Sequence, residues 1–466
     1  MASWVLSEFG LWLIAAVAAA AAVVASRLDV PRATRALGWS AALAFAAGTL
    51  VWMFADTYSY YFGQKENALR LSYWGSYREH EMWKDIIAAF RHKHPDIPVR
   101  QEYITDEYDS KIHRLLIAND APDVILFQDE PFPQFASTGG FERLDAYCER
   151  PGLEVNLERD YWKTAVDSFR HEGKTYAIPV WGGNCLVIYS RDAFRTAGVP
   201  EPADDWTTDE FLAACQALTA DTDGDGRLDR FGFRIPGWVY WLPFHYAFGA
   251  TYLDPTRTRW TLSGKEAEAS FGFWQGLRHT HHVAPHRDEL IEGGNVPFMT
   301  GRLGMFVSGP WAMPTLNEAA VDYDVAHIPR GPGGQGTRVT WDGLVMASGS
   351  RKKDWAWTFI HFTTSLEAQE IVARYQRSVP ALKAAQKAFV EANPKVHAER
   401  FIEAFAYSRI QPITRYWHQM GREVGTQVDL MLDNKQTADE TLRNLAANEQ
   451  LRKCFTMPET TGTQHR

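Results

Sequence analysis

A chain of 466 residues is longer than one hydrophobic core usually organises, so two or three domains are expected. Its hydrophobic content of 45% and charged content of 23% are those of a globular protein, and a formal net charge of −9 argues against nucleic acid and against a polybasic membrane-surface role. Four scattered cysteines (Cys148, Cys185, Cys215, Cys454) contain no CxxC pair, so neither a zinc cluster nor a thioredoxin-like motif is indicated.

The chain opens with two uncharged runs, Phe9 to Ser26 and Ala36 to Ala55. The second is 20 residues, the length that crosses the hydrocarbon core as a helix. Between them RLDVPRATR carries three arginines and one aspartate, and the positive-inside rule places that loop in the cytoplasm. Residues 1–56 therefore read as a transmembrane helical hairpin with everything after Asp56 extracytoplasmic. Tyr58, Tyr60, Tyr61 and Phe62 fit an interfacial aromatic belt. A cleaved signal peptide is the competing reading, but residues 1–26 lack a basic start and the second run is too long.

After a linker at 57–68, LRLSYW alternates as a strand, and GSYREHEMWKDIIAAFRHKHP reads as a turn and an amphipathic helix with Met82, Ile86, Ala89 and Phe90 on one face. IPVRQEYI is a second strand, DEYDSKIHRLLIAND a second helix and APDVILFQD a third strand, an apolar run with an acidic tip. This succession predicts a parallel α/β sheet, and ligands of such sheets sit beyond the carboxyl ends of the strands. Trp74, Ser76, Tyr77, Asp129 and Glu130 fall on that rim. Further on, KTYAIPV is a strand that meets a Trp-Gly-Gly-Asn step before a second strand, LVIYS. WTTDEFLAACQALTA is a helix with a Thr cap and acids in its first turn. FGFRI and LGMFVS are strands, GPWAMPTL turns into a helix carrying Trp311, and Tyr323 to Ser350 forms two strands around a Gly-rich loop. From Lys353 the chain is mostly helical, broken at RSVPALKAA.

In this order the segments LSYWGSYREHEMWKDIIAAFRHKHPDIPV, APDVILFQDE, KTYAIPVWGGNCLVIYSRDAF, WTTDEFLAACQAL, GRLGMFVSGPWA, TWDGLVMASGS after a Pro-Gly-Gly loop, and RSVPALKAA resemble the extracellular solute-binding proteins of family 1, the carbohydrate receptors of ABC importers. The resemblance runs over Leu69 to Phe455. It implies an α/β periplasmic-binding-protein fold of type II: two lobes, each a mainly parallel sheet flanked by helices, with ligand in the cleft between them. The chain would cross between lobes near Val180–Asn184, Ala326–Arg330 and Gln376–Pro380. Lobe 1 would comprise 69–180 plus 330–376, lobe 2 181–329 plus 377–456, and 457–466 would be a disordered tail. Typical members carry a cleaved signal or a lipid-modified cysteine, and the retained hairpin departs from them. The implied partners are a saccharide and separate ABC permease subunits, since no nucleotide-binding motif is present.

A cleft for sugars needs aromatic platforms for C–H faces and planar polar groups for hydroxyls. Trp74, Trp181, Trp238, Trp241, Trp311 and Trp341 lie beside Gly, Pro or a turn and are the candidate platforms, each with core packing as its plain alternative. Asp129, Glu130 and Asp342, with Gly343 next to it, are candidate acceptors; Asn184 and Arg377 follow from the expected hinge. Asp129 and Asp342 facing each other across the cleft would instead suit glycoside hydrolysis, and a sensor for a signalling partner is another rival.

DTDGDGRLDRFGF resembles half of an EF-hand. Asp221, Asp223, Asp225, the Arg227 carbonyl and Asp229 take the positions of calcium ligands, but position 12 is Gly232 and a strand follows instead of a helix. The expectation is a structural calcium staple at most, and no other cofactor. HTHHVAPH ends a helix, where histidines suit the C-terminal dipole better than a metal, and GPGGQG lacks the Lys-Ser/Thr of a phosphate loop.

Overall fold

The computed structural model describes residues 67–457, except 287, 288, 291 and 292. The expected transmembrane hairpin and most of the linker lie outside the described residues, and among those described no helix is long and apolar enough to cross a membrane.

The first half of the larger sheet forms as the alternation predicts. β1 (Leu69–Tyr73) pairs in parallel with both β2 (Val99–Tyr103) and β3 (Val124–Gln128). The helix Tyr77–Lys93 crosses from β1 to β2. It starts at a capping box in which Glu79 accepts from the Ser76 amide, buries Met82, Trp83, Ile86, Ile87 and Phe90, and ends on Arg91, His92 and Lys93, which suit its dipole. A short ribbon, β4 (Arg170–His171) with β5 (Lys174–Thr175), leads into β6 (Ala177–Asn184).

β6 does not stop at the Trp-Gly-Gly-Asn step. It runs through it, buried throughout, and the joint falls at Cys185 before β7 (Leu186–Ser190). β6 belongs to the larger sheet, in the order β12 (Val379–Pro380), β6, β11 (Thr337–Met346), β3, β1, β2; β7 belongs to a second, in the order β10 (Tyr323–Ala326), β7, β9 (Leu303–Ser308), β8 (Phe231–Phe233). From β10 the chain returns to the first sheet as β11.

Two expectations need correction. The lobe-2 sheet is not mainly parallel: β7 runs antiparallel to both β9 and β10, and only β8–β9 is parallel. In the larger sheet β11 is antiparallel to β3 and to β6, because a strand that enters from the other lobe arrives in the reverse direction. The third crossing is not at Gln376–Pro380. β12 (Val379–Pro380) pairs with β6, and β13 (Ser408–Ile410) pairs with β11, so the chain still feeds the larger sheet at Ile410, although residues 395–400 between them bond to Arg191, Asp324 and Val325 of lobe 2. It leaves only before the helix Trp417–Leu432, which packs with the helix Ala438–Ala447 against Gly264–His279 of lobe 2: Gln275 donates to the Met431 and Gln436 carbonyls and Arg278 to that of Leu432.

The glycines of the Trp-Gly-Gly-Asn step are there for contact. A Cβ on Gly182 would stand 2.2 Å from Cε3 of the Trp341 indole and 2.7 Å from the Thr340 carbonyl oxygen; on Gly183 it would meet the Pro310 ring at 2.9 Å. The first obstacle includes backbone, which cannot give. Gly182→Ala should destabilise the folded chain by about 1–3 kcal/mol through overpacking, read as a fall of several degrees in the thermal midpoint; an unchanged midpoint would mean that the β6–β11 contact is looser than this.

Candidate functional site

The strand register sets the rim. Gly183 pairs with Thr340, Trp181 with Asp342 and Asp342 with Gln128, and the Asp129 amide donates to the Trp341 carbonyl at 2.9 Å. The carboxyl ends of β1, β3 and β6 and the first half of β11 therefore lie along one edge, next to the joint to lobe 2. Two hollows open there. One, about 530 Å³, is lined on lobe 1 by Trp74, Ser76, Glu107, Tyr108, Gln128 and Arg377. The other, about 360 Å³, is lined on lobe 2 by Arg234, Tyr240, Asn295, Phe306, Ser308 and Trp311. Trp311 leans on the joint itself, 3.2 Å from where a Gly183 Cβ would stand. Volumes of this size suit small-molecule sites. Contacts bridge the lobes beside the cleft: Arg78 pairs with Glu318, Asn317 donates to Gln376 at 3.3 Å, and the Trp417 indole donates to Glu130 at 2.6 Å.

Of the sequence candidates, the structure brings Trp74, Ser76, Arg377 and Trp311 to these hollows. Tyr77, at the start of its helix, is 72% exposed. Arg377 is not free: it pairs with the carboxylate of Glu79, the residue that caps the helix. Glu130 is half-buried and held by Trp417.

Others are structural, against expectation. Trp341 is 0% exposed and stacks on Phe405 at 4.9 Å, because it sits on a central strand. Asn184 is buried and donates to the Phe401 carbonyl at 2.8 Å, tying the joint to the segment beneath it. Gly343 leaves room for the Phe169 ring. Trp241 is buried and donates to the Pro236 carbonyl, and Trp238 packs among Trp241, Tyr252 and Trp417. Trp181 is buried between Trp83 and Asp342.

Asp129 and Asp342 do not face each other across the cleft. Asp342 lies on β11 opposite Gln128, next to Asp129 at the end of β3, so the two sit side by side on one sheet and line neither of these hollows. Asp129 is 2% exposed and accepts from Thr340 at 2.9 Å and Ser168 at 3.2 Å. Burial pushes its pKa up to about 7 against these bonds and the nearby Arg338 charge. Burial does the same to Asp342, also to about 7; its Oδ2 accepts from the Trp181 indole at 2.7 Å while Oδ1 is out of solvent with no partner among the described residues.

Residues not singled out from the sequence complete the walls, Tyr108, Gln128, Arg234 and Tyr240, with Arg338 behind them. Gln128 ends β3 and Arg234 directly follows β8, and the rule that singled out Asp129 would have found both. Arg338 carries no such mark. Its guanidinium is buried, donates to Cys185 Sγ at 3.2 Å and Gln411 at 2.9 Å, and lies over the Tyr240 and Trp311 rings at 5.0 and 5.7 Å.

The acidic loop stands apart, between the helix Thr208–Leu218 and β8. Carboxylates of Asp221, Asp223 and Asp225 lie within 4.8 Å of one another and are exposed. Asp229 turns away to accept from Thr222 at 2.6 Å, Arg227 donates its amide to Asp225, and Asp221 accepts the Gly224 and Gly226 amides. The expected fourth carboxylate is thus diverted, because Asx-type bonds close the loop.

Two sheets joined by crossing strands, with hollows on either side of the joint, define a two-lobed ligand-binding protein. The chain belongs to the bacterial extracellular solute-binding protein family, whose profile it matches over residues 85–398. A binding protein of Brucella abortus is 23% identical over 378 residues, 78% of this chain and 88% of that one. The maltotriose-binding protein of Pyrococcus abyssi is 23% identical over 318 residues, 65% of this chain and 64% of that one. Among solved structures, an ABC substrate-binding protein of Listeria monocytogenes in complex with cycloalternan superposes with a TM-score of 0.74 at 22% identity, covering 84% of this chain and 99% of that one.

A carboxyl whose folded pKa lies above its unfolded value near 3.9 stabilises the fold when protonated, and that contribution is lost as pH rises through the folded value. Relative to wild type, Asp342→Asn should therefore gain stability from about pH 4 to about pH 7, by up to about 1.4 kcal/mol per unit, and level off above that. Thermal melts of both proteins across that range check it; a constant difference would mean that Asp342 titrates normally.

Proposed function

We propose that the chain is the extracytoplasmic receptor of an ABC importer, taking a sugar or oligosaccharide between its lobes and presenting the closed form to a permease. The observation that carries this reading is the presence, in the two hollows beside the joint on which the lobes hinge, of aromatic rings (Trp74, Tyr240, Trp311) together with polar side chains (Ser76, Gln128, Asn295, Ser308). Rings take the C–H faces and the polar groups take hydroxyls. The names of the Pyrococcus abyssi protein and of the diacetylchitobiose-binding protein of Streptomyces coelicolor support it. Ligand must favour the closed form over the open one for closure to follow. The contacts bridging the lobes at Glu318, Asn317 and Glu130 are made and broken in that motion. No catalytic step is assigned.

We further propose that residues 1–56 are the transmembrane hairpin read from the sequence. It would hold the receptor on the outer face of the membrane and raise its effective concentration at the permease. The full chain should then stay with membranes through alkaline carbonate extraction; release into the soluble fraction would sink the anchor.

A thermal-shift screen of the full chain against mono- and oligosaccharides tests the receptor. A ligand at 100 times its dissociation constant stabilises by about 2.7 kcal/mol, and Trp311→Ala should weaken that ligand about tenfold through the lost stacking. If polyols or peptides shift the midpoint and saccharides do not, the assignment fails. If the acidic loop holds calcium as a staple, calcium titration gives heat that Asp223→Ala abolishes; no heat from either protein leaves the Asx turns as the loop's only closure.

A further inference from the structure

The two walls of the cleft differ in how their charges are used. On lobe 1, Arg377 is neutralised by Glu79. On lobe 2, Arg234 follows β8 directly and is half-buried. Its Nη1 donates to the Gly294 carbonyl at 2.7 Å and its guanidinium lies over the Phe306 ring at 5.9 Å. Among the described residues no carboxylate pairs with it, and burial alone acts on its pKa, lowering it. Among the described residues that line this hollow there is no aspartate or glutamate.

Behind the same hollow stands a second cation. Arg338 is 6% exposed and lies over the rings of Tyr240 and Trp311, which line the hollow. Its hydrogen-bond partners, the Cys185 thiol and the Gln411 amide, are neutral. Asp129 acts on it through space without forming an ion pair, and burial pushes the pKa of that carboxyl up to about 7. A desolvated guanidinium without a counter-charge is costly. Arg234 on the lobe-2 wall and Arg338 on β11 behind it, in a chain whose net charge is −9, form a local positive field. Arg234 keeps donors for a planar or tetrahedral anion, which guanidinium groups bind in paired hydrogen bonds.

We propose that the lobe-2 wall receives an anionic group on the ligand, so that the saccharide captured is an acidic one, carrying a carboxylate or a sulfate or phosphate ester. This rests on the saccharide reading of the cleft. Tyr240 and Trp311 would hold the ring of the acidic unit, Arg234 its charged substituent, and Ser308 and Asn295 its hydroxyls. Arg338 supports the site from beneath through the field it adds.

Calorimetry on the full chain in mild detergent tests this with matched pairs: oligogalacturonate against galactose oligomers, glucuronate against glucose, and glucose 6-phosphate and 6-sulfate against glucose. The expected result is that the acidic member of at least one pair binds ten times or more tighter than its neutral match. The pairs tell carboxylate from sulfate and phosphate. The preference should fall at high salt, vanish in Arg234→Gln and persist in part in Arg234→Lys, with the ligand-free melting points of both variants within a few degrees of wild type. If Arg234→Gln melts much lower, the Arg234→Lys comparison and the salt dependence of wild type decide instead. Neutral members binding as well as acidic ones, or Arg234→Gln weakening both members of a pair equally, overturns the proposal and leaves the saccharide receptor standing. Failure of every member to bind overturns both.

Discussion

Antiparallel pairing of β6 with β11 fixes where both lobes begin. Each of these strands runs on, through Cys185 or back through the loop after Ala326, into the second sheet, so a displacement of one lobe is felt first along this pair. The pair is narrow because its residues allow it. Gly182 and Gly183 let the Trp341 indole and the Pro310 ring lie against the strand, and Trp341 in turn covers Phe405. A hinge with side chains at those positions would hold the lobes farther apart, and Trp311 would lose its place over the joint. Asn184 adds a bond to the Phe401 carbonyl, so the layer under the joint moves with it.

The polar groups near this pair are handled in two ways. Asp129 and Asp342 sit among apolar neighbours with few donors, and the consequence is a pair of carboxyls that titrate near neutrality. Arg338 is buried equally well, yet its guanidinium is spread over two aromatic faces and bonded to neutral groups. A charge that is not neutralised by its own chain remains available to whatever enters the cleft. Arg234 and, from behind, Arg338 flank the hollow that also carries two of the aromatic rings, so ring stacking and charge act on the same part of a ligand.

How much of this could be read from the sequence depends on the kind of information each feature needs. The parallel β1–β3 unit, the capping box at Ser76 and Glu79, and the helix after Thr207 follow from local pattern and were legible. Trp74 and Trp311 were legible as well, since each follows a strand and sits next to a turn. Trp341, Gly343 and Asn184 have the same local look, but whether a residue ends a strand or lies in its middle is decided by its partner strand, which comes from far along the chain. The third crossing was misplaced for that reason: Val379–Pro380 is too short to announce that it pairs with β6, and Ser408–Ile410 too short to announce β11. Arg338 was invisible because its role comes from rings of the other lobe.

The placement of β11 also sets the order in which the protein can be built. β3 has β1 on one side early in synthesis, but its other neighbour carries Thr340, 212 residues after Gln128. At ordinary rates of synthesis roughly 10–40 s separate the two, and in that interval the open edge of β3 and the apolar face under Trp341 have no cover. Lobe 2, by contrast, has its four strands between Leu186 and Ala326 and needs nothing later to close its sheet. The sheet that is begun first in the chain is therefore the one that is finished last. A chain of this design folds most safely where nothing can pair with an unfinished edge.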